Sequence, residues 1–346
     1  MSENIAHAEK QEMMSEDIAR LMKQNLRLIH MFGMCEVVRK TGKVVLGMTR
    51  DQMHDTVEVD KHVFSNADAV AGSHLRSLVA TCMSRFSGHL MEECDIARAL
   101  RDREELYYPL LICDAAEGST NTKRGLASIV RRPILAGTSM VLIENKRMST
   151  VAASAFYDFA SDSVYSSVRG EAGSFMSFID GKVQEPGGRL VERYGDSQQY
   201  ATVAGYSNNN IGCVADIIRV LQQSGIRWSG GTRSSAQDLL EILGNQVDCY
   251  VDLRALFPGN TDSRDETLHF WDVGGLLPFL DGLGYEICDH KGRPWQEFFL
   301  DEKLALIVCR PSMGKNKIVD AISQLRFVQE PDPTATVLPM ASGSGK

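Results

Sequence analysis

The sequence predicts an α+β fold, and three observations carry that prediction. Apolar residues first recur at helical spacing, then gather into short strands with tight polar turns, and beyond Gln199 strands and helices alternate. The length of 346 residues, about twice a typical domain, allows two lobes or one large body with a shared core.

Ile18, Leu21, Met22, Leu28, Ile29 and Phe32 fall at spacings near 3.6 behind Ser15, Glu16 and Asp17, which predicts a first helix covering a sheet. A second helix is expected over Ala69 to Phe86, carrying Val70, Leu75, Leu78, Val79 and Met83 and ending near Gly88. Tyr107 to Cys113 is a short apolar strand stopped by Asp114. Ser139 to Glu144, Val151 to Tyr157 and Val164 to Val168 are strands whose connections are too short for anything but antiparallel pairing. The Gly-, Glu- and Pro-rich stretch Val183 to Gln199 marks the boundary between an N-terminal lobe, 1–183, and a C-terminal lobe, 200–328. The second lobe takes strands at Ala201 to Ala204, Ile226 to Trp228, Val247 to Val251, Tyr285 to Cys288 and Leu304 to Cys309. Helices are expected over Ile211 to Ser224, Ser235 to Leu243 and Val273 to Leu283. Residues 329–346, poor in large apolar side chains, are expected to form a disordered tail.

A composition of 43% hydrophobic and 24% charged residues excludes wholesale disorder. Forty-five acidic against 37 basic residues give a net charge of −8 and a pI near 5.6, a field that repels nucleic acid and anionic membrane. An anionic substrate therefore needs a local cation. The eight cysteines form no C-x-x-C pair and mostly lie in apolar runs, as free thiols do in a reducing compartment. With no leader-like N-terminus and no apolar stretch approaching the ~20 residues of a membrane span, a cytoplasmic location is expected. Zincin, hydrolase-elbow and phosphate-loop motifs are absent from the sequence.

Acidic residues recur where elements end. Asp114 closes a strand and leads into Ala115-Ala116-Glu117-Gly118-Ser119-Thr120-Asn121, Asp272 opens an apolar helix, and Glu92 and Glu93 sit together upstream. Singly they read as a turn, a helix cap and a solvated pair. Jointly, oxygen-only donors suit Mg²⁺.

The order of these motifs resembles that of the inositol monophosphatase and fructose-1,6-bisphosphatase superfamily, closer to the inositol monophosphatase branch. Asp114 to Asn121 is similar to its D-P-[IL]-D-G-[ST]-x-N signature, Trp271-Asp272-Val273-Gly274-Gly275 to its W-D-x-A-[AG]-G, and Glu92-Glu93 to its G-E-E. The segment Ser163 to Gly173 is similar to the run into G-x-G-A, so the resemblance extends with gaps from about residue 55 to about residue 325. It implies a two-lobed, layered α/β/α/β/α sandwich and a Mg²⁺-dependent phosphomonoesterase with two or three ions, sensitive to lithium, working as a dimer or tetramer on a small phosphorylated metabolite. Neither a nucleic acid polymer nor a membrane is an expected partner.

By the same resemblance Glu92, with Glu93 as alternative, Asp114 and the Ala116 carbonyl hold a first ion, while Asp114, Glu117 and Asp272 hold a second. Ser119 orients the attacking water with Asp60 as its partner, and backbone N–H groups of Gly118 to Thr120 cradle the phosphate. Asp252 binds substrate hydroxyls. The chain departs from the pattern at Ala115 for proline, Glu117 for Asp, Met91 for glycine and Thr122-Lys123-Arg124 for an aromatic. An extended segment, Leu253 to Phe270, carries Arg254 and Arg264, which are either ordinary loop charge or recognise a second anionic group. A sugar bisphosphatase, a 3′-phosphonucleotidase and a degenerate phosphometabolite binder are the alternative functions.

Overall fold

The computed structural model describes residues 2–48, 56–59, 62–117, 136–170, 173–185, 198–205, 211–231, 234–258 and 267–329. They belong to two compact units, the first formed by Met1–Lys146, Thr150–Pro186 and Gly274–Leu283, the second by Arg147–Ser149, Gly187–Val273 and Gly284–Lys346. The division is not linear in sequence, because ten late residues return to the N-terminal unit.

The first unit opens with α1 (Ser2–Gly47), 46 residues long and far longer than the apolar spacing alone predicts. Its first third has no sustained apolar periodicity but is rich in Ala, Glu, Met and Lys, all strong helix formers, so propensity extends the helix where pattern is silent. A small hairpin, β1 (Thr56–Val59) and β2 (His62–Ser65), precedes α2 (Asn66–Cys82). Then come β3 (His89–Glu92), α3 (Glu93–Asp102), β4 (Leu110–Glu117), β5 (Gly137–Ile143), β6 (Val151–Asp158), β7 (Ser163–Arg169), β8 (Phe175–Ile179) and β9 (Lys182–Gln184).

These strands, β3 to β9, form one seven-stranded sheet in sequence order. From β4 onward every neighbour is antiparallel, the meander the short turns require; β3 and β4 alone run parallel, joined by α3 as crossover. One face of the sheet is covered by α1 and α2, whose Met31, Met34, Val38, Leu75 and Val79 share a core with Leu111, Cys113, Met140, Leu142 and Val168. Close approach at Gly42 explains part of this fit: a β-carbon there would run into the Tyr157 ring and come within 2.7 Å of Cε1 of Phe159.

The sheet also carries the short helix Leu277–Gly282, where the Ser177 hydroxyl donates to the Phe279 carbonyl at 2.8 Å and the Tyr165 and Phe279 rings meet edge to face at 5.4 Å. The single helix expected over Val273 to Leu283 is thus two short ones, Phe270–Val273 and Leu277–Gly282. Gly274-Gly275 breaks it, and a β-carbon on Gly275 would lie 2.5 Å from Ser139 Oγ and 3.0 Å from the Ala155 carbonyl.

His30 of α1 is 8% exposed, stands edge-on to Phe86 at 5.7 Å, and leaves its Nε2 without a hydrogen-bond partner. Burial holds its pKa below the ordinary value of 6.5, against a smaller opposing backbone hydrogen bond at Arg85. The unfolded chain therefore binds the proton more readily. His30 leaves the fold intact above pH 6.5, and stability falls as pH drops through 6.5 toward the lower folded value. In urea titrations at pH 7.5 and pH 5.5, His30→Gln is expected to lose less stability on acidification than the unsubstituted chain; an equal loss would assign the pH effect elsewhere.

The second unit contains β10 (Gln199–Val203), α4 (Ile211–Gln223), β11 (Ile226–Ser229), α5 (Ser235–Leu243), β12 (Cys249–Asp252), β13 (Glu286–Asp289), β14 (Leu306–Cys309), α6 (Lys315–Ile322) and α7 (Arg326–Gln329). Its sheet runs β11-β10-β12-β14-β13, with β10 parallel to β11 and β12 and β14 antiparallel to β12 and β13. Ile217, Val220 and Leu221 of α4 and Ile318 and Ile322 of α6 pack with Val251, Ile307, Cys249 and Cys309. All the described cysteines are free thiols. Cys249 faces Cys309 across the β12–β14 ladder, and burial pushes the Cys288 thiol up to about 11, so these are core residues of low reactivity. Among the described residues no helix is long and apolar enough to cross a membrane. Of the expected tail, 329–346, Gln329 instead ends α7, and residues 330–346 lie outside the described residues.

Candidate metal and substrate site

In the first unit the parallel pair positions two of the expected ligands. Glu92 is the last residue of β3 and is in register with Cys113 of β4; Asp114 follows one step beyond but does not stop the strand as expected, because β4 keeps its pairing with β5 through a bulge and runs on to Glu117. Burial raises the Cys113 thiol well above its ordinary pKa, and the next causes are the nearby charges of Glu92 and Asp114.

Asp114 is 7% exposed and opposite Ser139; the β4–β5 register then shifts and resumes at Glu117 opposite Gly137. That bulge takes Ala115 and Ala116 out of the regular ladder, and the Ala115 carbonyl accepts the Thr138 hydroxyl at 2.9 Å. The bulge therefore falls in the segment whose carbonyl was expected to face a metal. The side chains of Glu93, Ala116 and Glu117 lie outside the described residues, as do Asp60, Gly118, Ser119, Thr120 and Arg264.

Glu92 ends β3 and is also the N-cap residue of α3, yet its side chain does not cap that helix. Its carboxylate lies against Gly72 of α2, where any β-carbon would collide with it, and Arg76, one turn further along α2, donates Nε to Oε1. The same guanidinium donates Nη2 to Asp95 at 2.9 Å, and Arg98 donates to the other Asp95 oxygen at 3.0 Å. Leu111, Cys113 and Ala115 face the α1–α2 core, so alternation along β4 sends Asp114 to the other side, away from the α2 face that receives Glu92. Gly72, Arg76 and Asp95 were not read as site residues from the sequence. The only signal was Gly72 and Arg76 four apart on one helix, which is too common to be informative.

In the second unit Asp252 ends β12 with no exposure and Arg254 follows at 5%, in a one-turn 3₁₀ segment, Arg254–Leu256. Asp252 accepts from Tyr250 Oη at 2.9 Å, from the Arg254 backbone N–H at 3.1 Å and from Arg254 Nη2 at 2.6 Å, and Arg254 Nη2 also reaches Ser235 Oγ at 3.3 Å. Arg254 is therefore not the ordinary solvated loop charge that was one of the two expectations for it. Leu253 and Phe257 on either side of it are core residues, which carries the short segment between them into the interior.

Asp272 lies inside the one-turn helix Phe270–Val273, where Oδ2 accepts the His269 backbone N–H at 2.8 Å. His269 stacks on Trp271 with ring centroids 4.4 Å apart and meets Thr267 Oγ1 through Nε2 at 3.2 Å. His269 is a second neighbour the sequence reading passed over. Its cue was the i, i+2 spacing to Trp271.

Among the described residues no group of three or more His, Cys, Asp or Glu side chains converges as a metal site. Asp114 and the bulged β4 backbone beside it carry oxygen donors of the kind a hard divalent cation takes, whereas Glu92 is turned to the opposite face of the sheet and paired with Arg76.

No protein-family model matches the chain, and no curated protein matches it. Solved structures do. The extragenic suppressor protein suhB from Bartonella henselae aligns at 17% identity and TM-score 0.57, covering 85% of this chain and 98% of that one. Inositol monophosphatase from Anabaena (Nostoc) sp. PCC 7120 aligns at 15% and 0.56, covering 85% and 95%. An IMPase/NADP phosphatase complexed with Mg²⁺ and phosphate aligns at 13% and 0.50, covering 90% and 96%. The chain shares the fold of these solved structures, α+β throughout.

Proposed function

We propose that the chain is a Mg²⁺-dependent phosphomonoesterase of a small phosphorylated metabolite, an inositol phosphate or a related sugar or polyol phosphate. The observation that carries the reading is the placement of Asp114 at the bulge of β4, beside the parallel β3–β4 pair, within a fold shared with solved inositol monophosphatase structures. Its supports include a neighbour complexed with Mg²⁺ and phosphate and another bound with D-inositol-1-phosphate.

On this reading Asp114, the Ala116 carbonyl, Glu117 and either Glu92 or Glu93 hold the metal. A bound Mg²⁺ supplies positive charge for the phosphoryl oxygens and an acidified water. Asp114 contributes a fixed negative charge held by the β4 backbone, and Thr138 keeps the adjoining bulge in shape through the Ala115 carbonyl. Ser119 and Asp60 orient the attacking water, and the Gly118 to Thr120 N–H groups take the phosphate oxygens. Arg254 and Asp252 satisfy each other in the core, so we give them a structural role and leave Arg264 as the candidate contact to a second anion. Cytoplasmic location and self-association complete the reading.

The Arg76–Glu92 pair favours a second reading, a degenerate member that binds phosphorylated metabolites without turning them over. Phosphate release from inositol 1-phosphate, fructose 1,6-bisphosphate and 3′-phosphoadenosine 5′-phosphate, followed across a Mg²⁺ series, separates the two. Mg²⁺-dependent release establishes the enzyme; calorimetric binding without release establishes the binder.

A further inference from the structure

We infer that two copies of this chain pair antiparallel through the outward face of α1, about a twofold axis near Asn25. The pairing is independent of the phosphatase reading, and it gives the self-association proposed with that reading a surface and a direction.

The helix α1 is apolar on two opposite sides. One side, with Met31, Met34, Val38 and Val45, lies in the core against the seven-stranded sheet. Nine residues, about 2.5 turns, separate Ile29 from Val38, and 27 residues, about 7.5 turns, separate Ile18 from Val45, so Ile18 and Ile29 point the other way. Ile18, Met22, Leu26, Ile29 and Phe32 follow one another at steps of four, four, three and three, a continuous stripe with Leu21 at its margin. All six are 43% to 67% exposed. The stripe runs onto the sheet. The Phe32 ring lies 6.4 Å from that of Phe178, and Val183, across the ladder from Phe178 on the edge strand β9, is itself exposed. Single exposed apolar residues are ordinary; a row of six along one helix face marks an interaction surface.

A second copy fits this face because the stripe is self-complementary. An antiparallel pair centred near Asn25 sets Ile18 against Phe32 and Met22 against Ile29, with Leu26 meeting Asn25 across the axis. Charge sets the direction. Residues 2–17 carry Glu3, Glu9, Glu12, Glu16 and Asp17 against Lys10, a net −4, whereas residues 33–48 carry Arg39, Lys40 and Lys43 against Glu36, a net +2. The antiparallel register lays the first segment along the second; a parallel one lays −4 along −4. Arg39 and Lys43 also meet Asp180 and Asp162, which softens the attraction without removing the repulsion of the parallel arrangement. The six side chains expose on the order of 500 Å², so two copies cover about 1,000 Å², the floor for a specific interface, and the charged ends extend it. An anionic membrane is the poorer occupant, since the stripe continues at its N-terminal end into net negative charge.

The test is sedimentation equilibrium of the full chain, expected to show the 38.3 kDa monomer giving way to a dimer in the micromolar range. Ile29→Glu and Met22→Glu should each raise the dissociation constant about tenfold or more while leaving the melting temperature unchanged, because both side chains are exposed. Under copper–phenanthroline oxidation Asn25→Cys is expected to crosslink to its own counterpart above the level of the unsubstituted chain. Ile18→Cys is not, because the antiparallel pair holds the two copies of that residue about 20 Å apart. A chain that stays monomeric at high micromolar concentration overturns the inference, whether or not phosphate release is found. So does a dimer that both glutamate variants leave intact, which places self-association on another surface. Self-crosslinking of Ile18→Cys as strong as that of Asn25→Cys overturns the antiparallel arrangement. Adsorption of a monomeric chain to phosphatidylserine vesicles, lost in Ile29→Glu, assigns the face to a lipid surface instead and overturns the pairing.

Discussion

Arg254→Ala is expected to destabilise the protein by about 3–5 kcal/mol, the cost of breaking a buried ion pair from one side. Asp252 has no exposure, and the substitution removes its contacts with Nε at 3.0 Å and Nη2 at 2.6 Å, leaving only Tyr250 and a backbone N–H to hold a carboxylate in the core. Water has no access to make up the loss. Arg254→Lys should recover only part of it, since an ammonium lacks the paired donors that now span both Asp252 oxygens. Urea unfolding followed by far-UV circular dichroism measures the difference. A change below 1 kcal/mol in the alanine variant would mean that the pair does not hold this part of the second unit together. Were Arg254 instead a substrate contact, the variant would keep its unfolding midpoint and show a raised KM.

The second large effect is on turnover. Asp114→Asn keeps the size and shape of a side chain that is 7% exposed and removes its charge, so the fold is expected to survive with its melting temperature near that of the unsubstituted chain. A metal ligand contributes several kcal/mol of charge stabilisation in the transition state. At about 1.4 kcal/mol per decade its loss lowers kcat roughly a hundredfold to a thousandfold. The measurement is Mg²⁺-dependent phosphate release beside a thermal melt of the same preparation. Near-normal turnover in a folded Asn variant would remove Asp114 from the metal set; lost turnover with a collapsed melt would make it a structural residue.

Much of the architecture was legible because it rests on periodicity and connection length. The meander from β5 to β7 follows from turns too short to cross over, and the alternation of β10, α4, β11 and α5 follows from a switch of apolar spacing. What escaped the sequence has physical reasons. The N-terminal third of α1 is held by propensity, which sums weakly and leaves no pattern. The strand β3 is four residues, half polar at its ends, and shows itself only by pairing with β4. Motif order singled out Glu92, Asp114 and Asp272 as candidates, yet no local signal reveals that a residue sixteen positions upstream places a guanidinium on Glu92. Arg254 was misplaced for the complementary reason. A charged residue two positions from a buried aspartate is indistinguishable in sequence from a solvated one, and only the apolar neighbours Leu253 and Phe257 hinted at burial.

The return of Gly274–Leu283 to the first unit has a consequence for biosynthesis. During translation the strands through β9 have left the ribosome about 90 residues before this segment appears, an interval of roughly 5–20 s at ordinary elongation rates. Throughout it the place of the helix Leu277–Gly282 is empty: Ser177 has no carbonyl to donate to, and Tyr165 lacks the Phe279 ring that meets it in the finished protein. The nascent N-terminal unit thus presents an incompletely covered sheet, which is a substrate for holdase chaperones and a liability in their absence. A stop codon anywhere before residue 274 would make that state permanent, so a premature termination product of this chain is expected to be cleared or to aggregate even when every strand of the seven-stranded sheet is present.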